Sequence, residues 1–163
     1  MLKPAQLYSE QVKEKMINCW YDEYYKYYSG WTGNNLPELP DNCYETHNFV
    51  SVDKSNNVIG YVSYHVNWIT MSADNFGAIS FDKGNLIFAK DLLTVIKNLF
   101  HVHNMNRIQW SMIVGNPVYC SYKRFIKKYG GRECAYFRQC AKLSDGKLYD
   151  SIGFEILSSE FKG

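Results

Sequence analysis

The chain has 163 residues, of which 46% are hydrophobic and 21% charged, enough apolar matter for one core. Eleven Gly and four Pro among abundant aromatics exclude a collagen-like or disordered chain. Eighteen basic and sixteen acidic side chains leave a net charge of +2, too balanced to single out nucleic acid or an anionic membrane as the partner. The outlier is the aromatic content, 17%, with 14 Tyr, 9 Phe and 4 Trp.

The first twelve residues carry Lys3 and Glu10 and no apolar run, so no secretory leader is expected. Ser55 to Ala73 lacks Asp, Glu, Lys and Arg, but Asn56, Asn57, Ser63, His65, Asn67 and Thr70 make it too polar for a membrane span. The cysteines Cys19, Cys43, Cys120, Cys134 and Cys140 are odd in number and form no C-x-x-C pair. Reduced thiols, no metal site and a cytoplasmic setting are expected.

In chain order, Ser9 and Glu10 predict the cap and first turn of a helix. Apolar residues then recur at Val12, Met16, Trp20, Tyr24 and Tyr28, which keeps one face apolar. Gly30, Gly33, Asn34 and Asn35 end it. Pro37 and Pro40 mark a loop. Phe49–Val52, Val58–Val66, Trp68–Met71 and Phe76–Phe81 read as an antiparallel meander, with turns at Asp53–Asn57 and Ser72–Asn75. From Leu86 to His103 the period changes: Ala89, Leu92, Leu93, Ile96, Leu99 and Phe100 define a helix. Arg107–Val114 reads as a strand. Asn116-Pro117 opens another helix, which stops at Gly130-Gly131. Ala135–Leu143 and Leu148–Leu157 close as a hairpin around Ser144-Asp145-Gly146. The order is αββββαβαββ, an α+β domain of three layers spanning 1–163 with a mixed, mostly antiparallel sheet.

This order, with Arg107-Ile108-Gln109-Trp110 ahead of Asn116-Pro117, then Gly130-Gly131-Arg132, Lys142-Leu143-Ser144-Asp145-Gly146 and Asp150, resembles the GNAT superfamily of acyl-CoA-dependent N-acyltransferases. The C-terminal half is most similar to the ribosomal-protein-alanine acetyltransferase type. The resemblance implies a GNAT-like fold and an N-acetyltransferase that moves an acetyl group from acetyl-CoA, its co-substrate, directly to an amine. It implies a small-molecule or peptide amine as acceptor. The CoA pyrophosphate would sit on the strand-to-helix turn, here Lys83, Gly84, Asn85, Leu86, Ile87, Phe88 and Ala89, where free N–H groups and the helix dipole favour anions. The pantetheine amides would pair with Ile79, Ser80 and Phe81, and Asn116 would head the helix beside the donor.

The family's phosphate loop has Gln or Arg, two residues, Gly, one residue, then Gly or Ala. Registered on Leu92-Leu93, those places hold Gly84, Ile87 and Ala89, and only Ala89 conforms. Lys83 or Lys90 can supply charge. The family often protonates the departing thiolate with a Tyr on the Asn-headed helix. Tyr122 is the first candidate here and Tyr119 the second; packing is the alternative for both. An acidic base on the fourth strand is not expected, because Asp74 and Asp82 flank Phe76–Phe81. A water relay or a neutral amine would make one unnecessary.

Of His47, His65, His101 and His103, only His65 is placed to face a substrate. Lys123, Arg124, Lys127 and Lys128 form a basic helix face, either solvated or in contact with the CoA 3′-phosphate or an acidic partner. Seven of residues 20 to 31 are aromatic. Trp20, Tyr24, Tyr28 and Trp31 are expected in the core, with Tyr21, Tyr25 and Tyr27 facing an acceptor groove or a homodimer contact. The rival functions are a non-catalytic GNAT-fold binding or regulatory protein and a single-strand nucleic-acid binder.

Overall fold

Along Val58–Asn67 every second side chain from Val58 on is buried, the period-2 pattern of a strand with a core on one face. In the computed structural model, which describes residues 1–20, 22–27 and 39–163, this segment is β3, in the interior of a seven-stranded sheet. The strands are β1 (Leu2–Pro4), β2 (Thr46–Val52), β3, β4 (Ser72–Ser80), β5 (Arg107–Ile113), β6 (Arg132–Lys142) and β7 (Leu148–Leu157). Their order across the sheet is β1-β2-β3-β4-β5-β7-β6, and among the described residues β4–β5 is the one parallel pair. Among the described residues three α-helices cover it: α1 (Ser9–Cys19), α2 (Leu86–His101) and α3 (Tyr119–Tyr129).

The register assigns the faces. A Cβ on Gly60 would lie 2.3 Å from the Phe88 ring, so this face of β3 carries α2. Val62, Tyr64 and Val66 follow on the same face and join Val95, Leu99 and Phe100 in the main core. On the other face Tyr61 packs with α1 through Val12 and Met16. On the α2 side, α3 lays Tyr122 and Phe125 edge-on against Trp110, which stacks on Phe154 of β7. Gly130, at φ 97°, ends α3: a Cβ there would stand 2.1 Å from the Glu160 carbonyl oxygen.

Several expectations need correction. Trp68–Met71 is a hairpin turn rather than a strand, because the Asn67 side chain accepts from the N–H groups of Ile69 and Thr70 and Met71 adopts φ 50°. Ser72–Asn75 belongs to β4 rather than to a turn. A fourth strand before α2 comes instead from Leu2–Pro4, which pairs with β2. The first helix starts at Ser9, which is not its side-chain cap, and stops at Cys19. There Asp22 accepts from the Tyr24 N–H and starts a separate 3₁₀ turn, Glu23–Tyr25. That break rotates the aromatics: Tyr24 is exposed and Tyr25 is buried, the reverse of the helical expectation. Tyr21, Tyr28, Gly30, Trp31, Gly33, Asn34, Asn35 and Pro37 lie outside the described residues. The third helix begins at Tyr119, with Asn116–Val118 as a lead-in turn. No helix of the described residues is long and apolar enough to cross a membrane. All five thiols are free.

Candidate active site

Strands β4 and β5 run side by side for two residue pairs, Ser72↔Arg107 and Ala73↔Ile108. Beyond them each keeps its outer partner: β4 stays on β3 as far as Ser80↔Gly60, and β5 stays on β7 as far as Ile113↔Ser151. They no longer pair with each other, so the sheet opens between them. A bulge sits at the start of the opening. Ser63 faces Gly77 and His65 faces Asp74, so two residues of β4, Asn75 and Phe76, oppose Tyr64 alone. Asn75 takes φ 47°. Such a bulge bends its strand and raises the local twist, which turns β4 away from β5. Among the described residues no strand pairs with the facing edges of β4 and β5 beyond this point, which makes them a built-in partner for an extended amide-bearing ligand.

The open edge of β4 is read from its neighbours. The Phe81 N–H donates to the Ile59 carbonyl on β3 at 3.0 Å. By strand alternation the backbone groups of Ile79 also face β3, and those of Ser80 face away from it. The Ser80 carbonyl accepts from the buried Tyr25 hydroxyl at 2.9 Å. Ile79 and the Phe81 ring pack beside Tyr61, Cys19 and Tyr25 on the α1 side. Of the three strand residues named from the sequence, Ser80 alone turns its backbone to the opening. Burial pushes the Tyr25 phenol pKa up, and the neighbouring Cys19 pushes it the same way.

The turn into α2 presents fewer amides than its sequence implies. Asn85 caps the helix, its Oδ1 accepting from Ile87 N–H at 2.8 Å and Phe88 N–H at 3.1 Å. The Ala89 N–H goes to the Asn85 carbonyl. Two N–H groups that an anion would use are therefore held by a neutral side chain. Asn85 is itself steadied by Asp82, which accepts from its side-chain amide at 2.8 Å. Gly84, at φ 76°, has open space where a Cβ would be, and Leu86 and Ile87 are exposed. The Lys83 ammonium lies 4.2 Å over the Tyr24 ring and 3.4 Å from the Asp22 carboxylate. The donor set suits a pyrophosphate once the Asn85 side chain swings out; as folded, the cap competes with it.

Tyr122 and Tyr119 separate. Burial pushes the Tyr122 phenol up to about 12, so it stays protonated, as a donor must be. Its ring rests against Trp110 and Phe154 on the α2 and α3 side of the sheet. Tyr119 donates to Glu133 at 2.9 Å, on the edge strand β6, two strands from the opening. Glu133 also pairs with Lys123 at 3.2 Å. Asn116 follows β5 and accepts from Val118 N–H at 3.0 Å. The Trp110 indole N–H is buried without a hydrogen-bond partner among the described residues. A ligand or water that met it would remove a desolvation cost of about 1–3 kcal/mol.

A histidine cluster beside the bulge was only half legible. His65 Nδ1 lies 3.2 Å from Asp74 Oδ1, and Nε2 lies 3.6 Å from Glu45 Oε2. His65 shares the face of β3 that carries Tyr61, so the group lies on the α1 side. Asp74 is within β4, which corrects the expectation of no acidic residue on the fourth strand. The sequence signal is the Asp74-Asn75 pair, which reads as a turn because Asn favours positive φ in turns and in bulges alike. Among the described residues no three His, Cys, Asp or Glu side chains converge as a metal site.

Comparison with known proteins gives structural rather than sequence matches. No family model matches the chain, and no curated protein matches it in sequence. Spermidine/spermine N-acetyltransferase SpeG from Vibrio cholerae, solved with manganese ions, is 23% identical over 71% of this chain and 67% of that one, with a TM-score of 0.61. A variant of the same enzyme is 26% identical over 71% and 68%, with a TM-score of 0.60. A dodecameric form of that enzyme also superposes, with a TM-score of 0.61 and 23% identity over 71% and 67%. The fold of this chain is the GNAT acetyltransferase fold.

Proposed function

We propose that this chain, built on the GNAT fold, is an acyl-CoA-dependent N-acyltransferase that moves an acetyl group from acetyl-CoA directly to an amine. The observation that carries the proposal is the parting of β4 from β5 after Ala73 and Ile108, at a bulge beyond which neither facing edge has a strand partner among the described residues. Such edges suit the peptide-like pantetheine arm of CoA, and the turn into α2 lies at the end of β4, where the pyrophosphate would come. The similar structures are polyamine acetyltransferases, which makes a small polycationic amine the first acceptor class to test. Direct transfer then needs a neutral amine and a proton for the departing thiolate. Tyr122, protonated and beside the opening strand β5, is the candidate for the second.

Thermal unfolding with millimolar acetyl-CoA, paired with thiol release over a panel of spermidine, spermine and a short peptide, tests the reading. Acetyl-CoA raises Tm by mass action, and at least one amine drives thiol release. No shift and no release together would overturn it in favour of a non-catalytic module with the same fold.

A further inference from the structure

Resting on that reading, we propose that His65 is the group that takes the proton from the acceptor ammonium, with Asp74 as its positioning residue and Glu45 as the anchor for the cation. The cluster lies where the sheet opens. Asp74 is the first β4 residue after the last β4–β5 pair and the last before the bulge. Its side chain and that of His65, directly opposite on β3, share the α1 side of the sheet. The donor's backbone contacts would run along the edge of β4 toward this point from Ser80.

The three side chains divide the work by geometry. A carboxylate can only accept, so the 3.2 Å contact with Asp74 makes Nδ1 the N–H and leaves the lone pair on Nε2. Nε2 faces Glu45 at 3.6 Å, too far for a direct hydrogen bond and near enough for one ammonium nitrogen to sit about 2.9 Å from both. That nitrogen would give a proton to Nε2 while Glu45 balances its charge. His65 and Asp74 are partly exposed and Glu45 is exposed, so a solvent-borne amine can reach them.

The step balances. The ammonium R–NH₃⁺ gives one proton to His65 Nε2 and becomes R–NH₂. Its lone pair forms the N–C bond to the thioester carbonyl carbon, and the C–S bond breaks with its electrons going to sulfur. Tyr122 gives its proton to the departing sulfur, which leaves as the free thiol of CoA, and the second nitrogen proton, released as the amide forms, reaches the Tyr122 phenolate and restores it. His65 returns its proton to water. The charged groups around the ring are Asp74 from β4 and Glu45 from the segment before β2; His47 of β2 stacks on Tyr64 on the other face of the sheet, where burial above all lowers its pKa, with smaller contributions from His103 and His65.

The test is the pH profile of kcat/KM for acetyl transfer to spermidine in wild type, His65→Gln, Asp74→Asn, Asp74→Glu and Glu45→Gln. Wild type should show an ascending acid limb. His65→Gln should lose that limb and about 10²–10⁴-fold in kcat at neutral pH, with the acetyl-CoA thermal shift retained. Asp74→Asn should lower kcat severalfold with KM for the amine nearly unchanged, because the Nδ1 proton loses the carboxylate that fixes the ring's tautomer and orientation, and Asp74→Glu should restore it. Glu45→Gln should raise KM for the amine at least severalfold with kcat nearly unchanged. A His65→Gln enzyme with the wild-type profile would overturn the assignment while leaving the transferase reading intact. A wild-type chain that neither binds acetyl-CoA nor acetylates any amine would overturn both. If His65→Gln does not fold, NMR of the wild-type ring decides: spermidine should shift the His65 Nε2 resonance saturably, and an unmoved resonance overturns the proposal.

Discussion

The Tyr25 hydroxyl donates to the Ser80 carbonyl across 55 positions of sequence, tying the turn after α1 to the free edge of β4. The bond satisfies a carbonyl that would otherwise face the opening. It also occupies the place where an amide N–H of an acyl donor would pair. Tyr25→Phe should therefore do two things. Stability should fall by about 1 kcal/mol, seen as a lower denaturant midpoint at unchanged slope. The Kd for acetyl-CoA should fall, because the carbonyl is released to the ligand. Weaker binding in this variant would mean that the phenol holds the edge in place rather than shielding it.

Asn85 sets a similar competition at the other end of the donor. Its side chain holds the N–H groups of Ile87 and Phe88. Glycine at an N-cap costs only a few tenths of a kcal/mol relative to Asn, so Asn85→Gly should leave Tm nearly unchanged. It should also free both amides and tighten CoA binding, with the gain smaller for pantetheine, which lacks the pyrophosphate. Equal affinities in wild type and variant by calorimetry would place the pyrophosphate elsewhere.

The two tyrosines of α3 should behave differently. Tyr122→Phe should lower kcat about 10- to 100-fold with little change in acetyl-CoA affinity, as expected for the loss of a proton donor. Tyr119→Phe should leave turnover unchanged, because its phenol is spent on Glu133 at the far edge strand. Steady-state kinetics on both variants checks the contrast. Unchanged turnover in Tyr122→Phe would make that residue a packing group.

Burial also sets the alkaline limit of the fold. The phenols of Tyr64 and Tyr122 are pushed up to about 12 by desolvation, and Tyr61 is raised for the same reason. The folded chain keeps these protons when unfolded tyrosines release theirs near pH 10, so it binds more protons in that window. Their contribution to stability should be full below about pH 10, fall as pH rises and be largely lost as it passes about 12. Denaturant midpoints across that range measure it; a flat profile would mean that these phenols ionise as they do when unfolded.

Much of the fold was legible. The 3.6-residue period of α2 and the alternation of β3 are written in side chains that pack where those periods require. The stop at Gly130 follows from a positive φ that glycine takes freely. Errors fell where one residue type serves two local structures. Asn67 and Asn75 are eight positions apart, yet one makes a hairpin turn and the other a bulge inside a strand. Asp22 broke the first helix because a short acceptor beside a free N–H competes with helix continuation, and that break exchanged Tyr24 and Tyr25 between surface and core.

The sequence by itself determined the succession of helices and strands, because periodicity, caps and glycines act over a few residues. It also carried the resemblance that anticipated the acyl-CoA transferase fold. Tertiary structure decided where β4 leaves β5, which backbone groups meet the opening, and that His65 and Asp74 stand 3.2 Å apart. These depend on strand register, and register is set by pairing between distant segments: a shift of one residue turns every side chain to the opposite face. The aromatic excess with which the sequence stood out is resolved in the same way. Tyr25, Tyr61, Tyr64 and Tyr122 went inward because the sheet and helices met over them, and no local pattern separated them from the exposed Tyr24 and Tyr44.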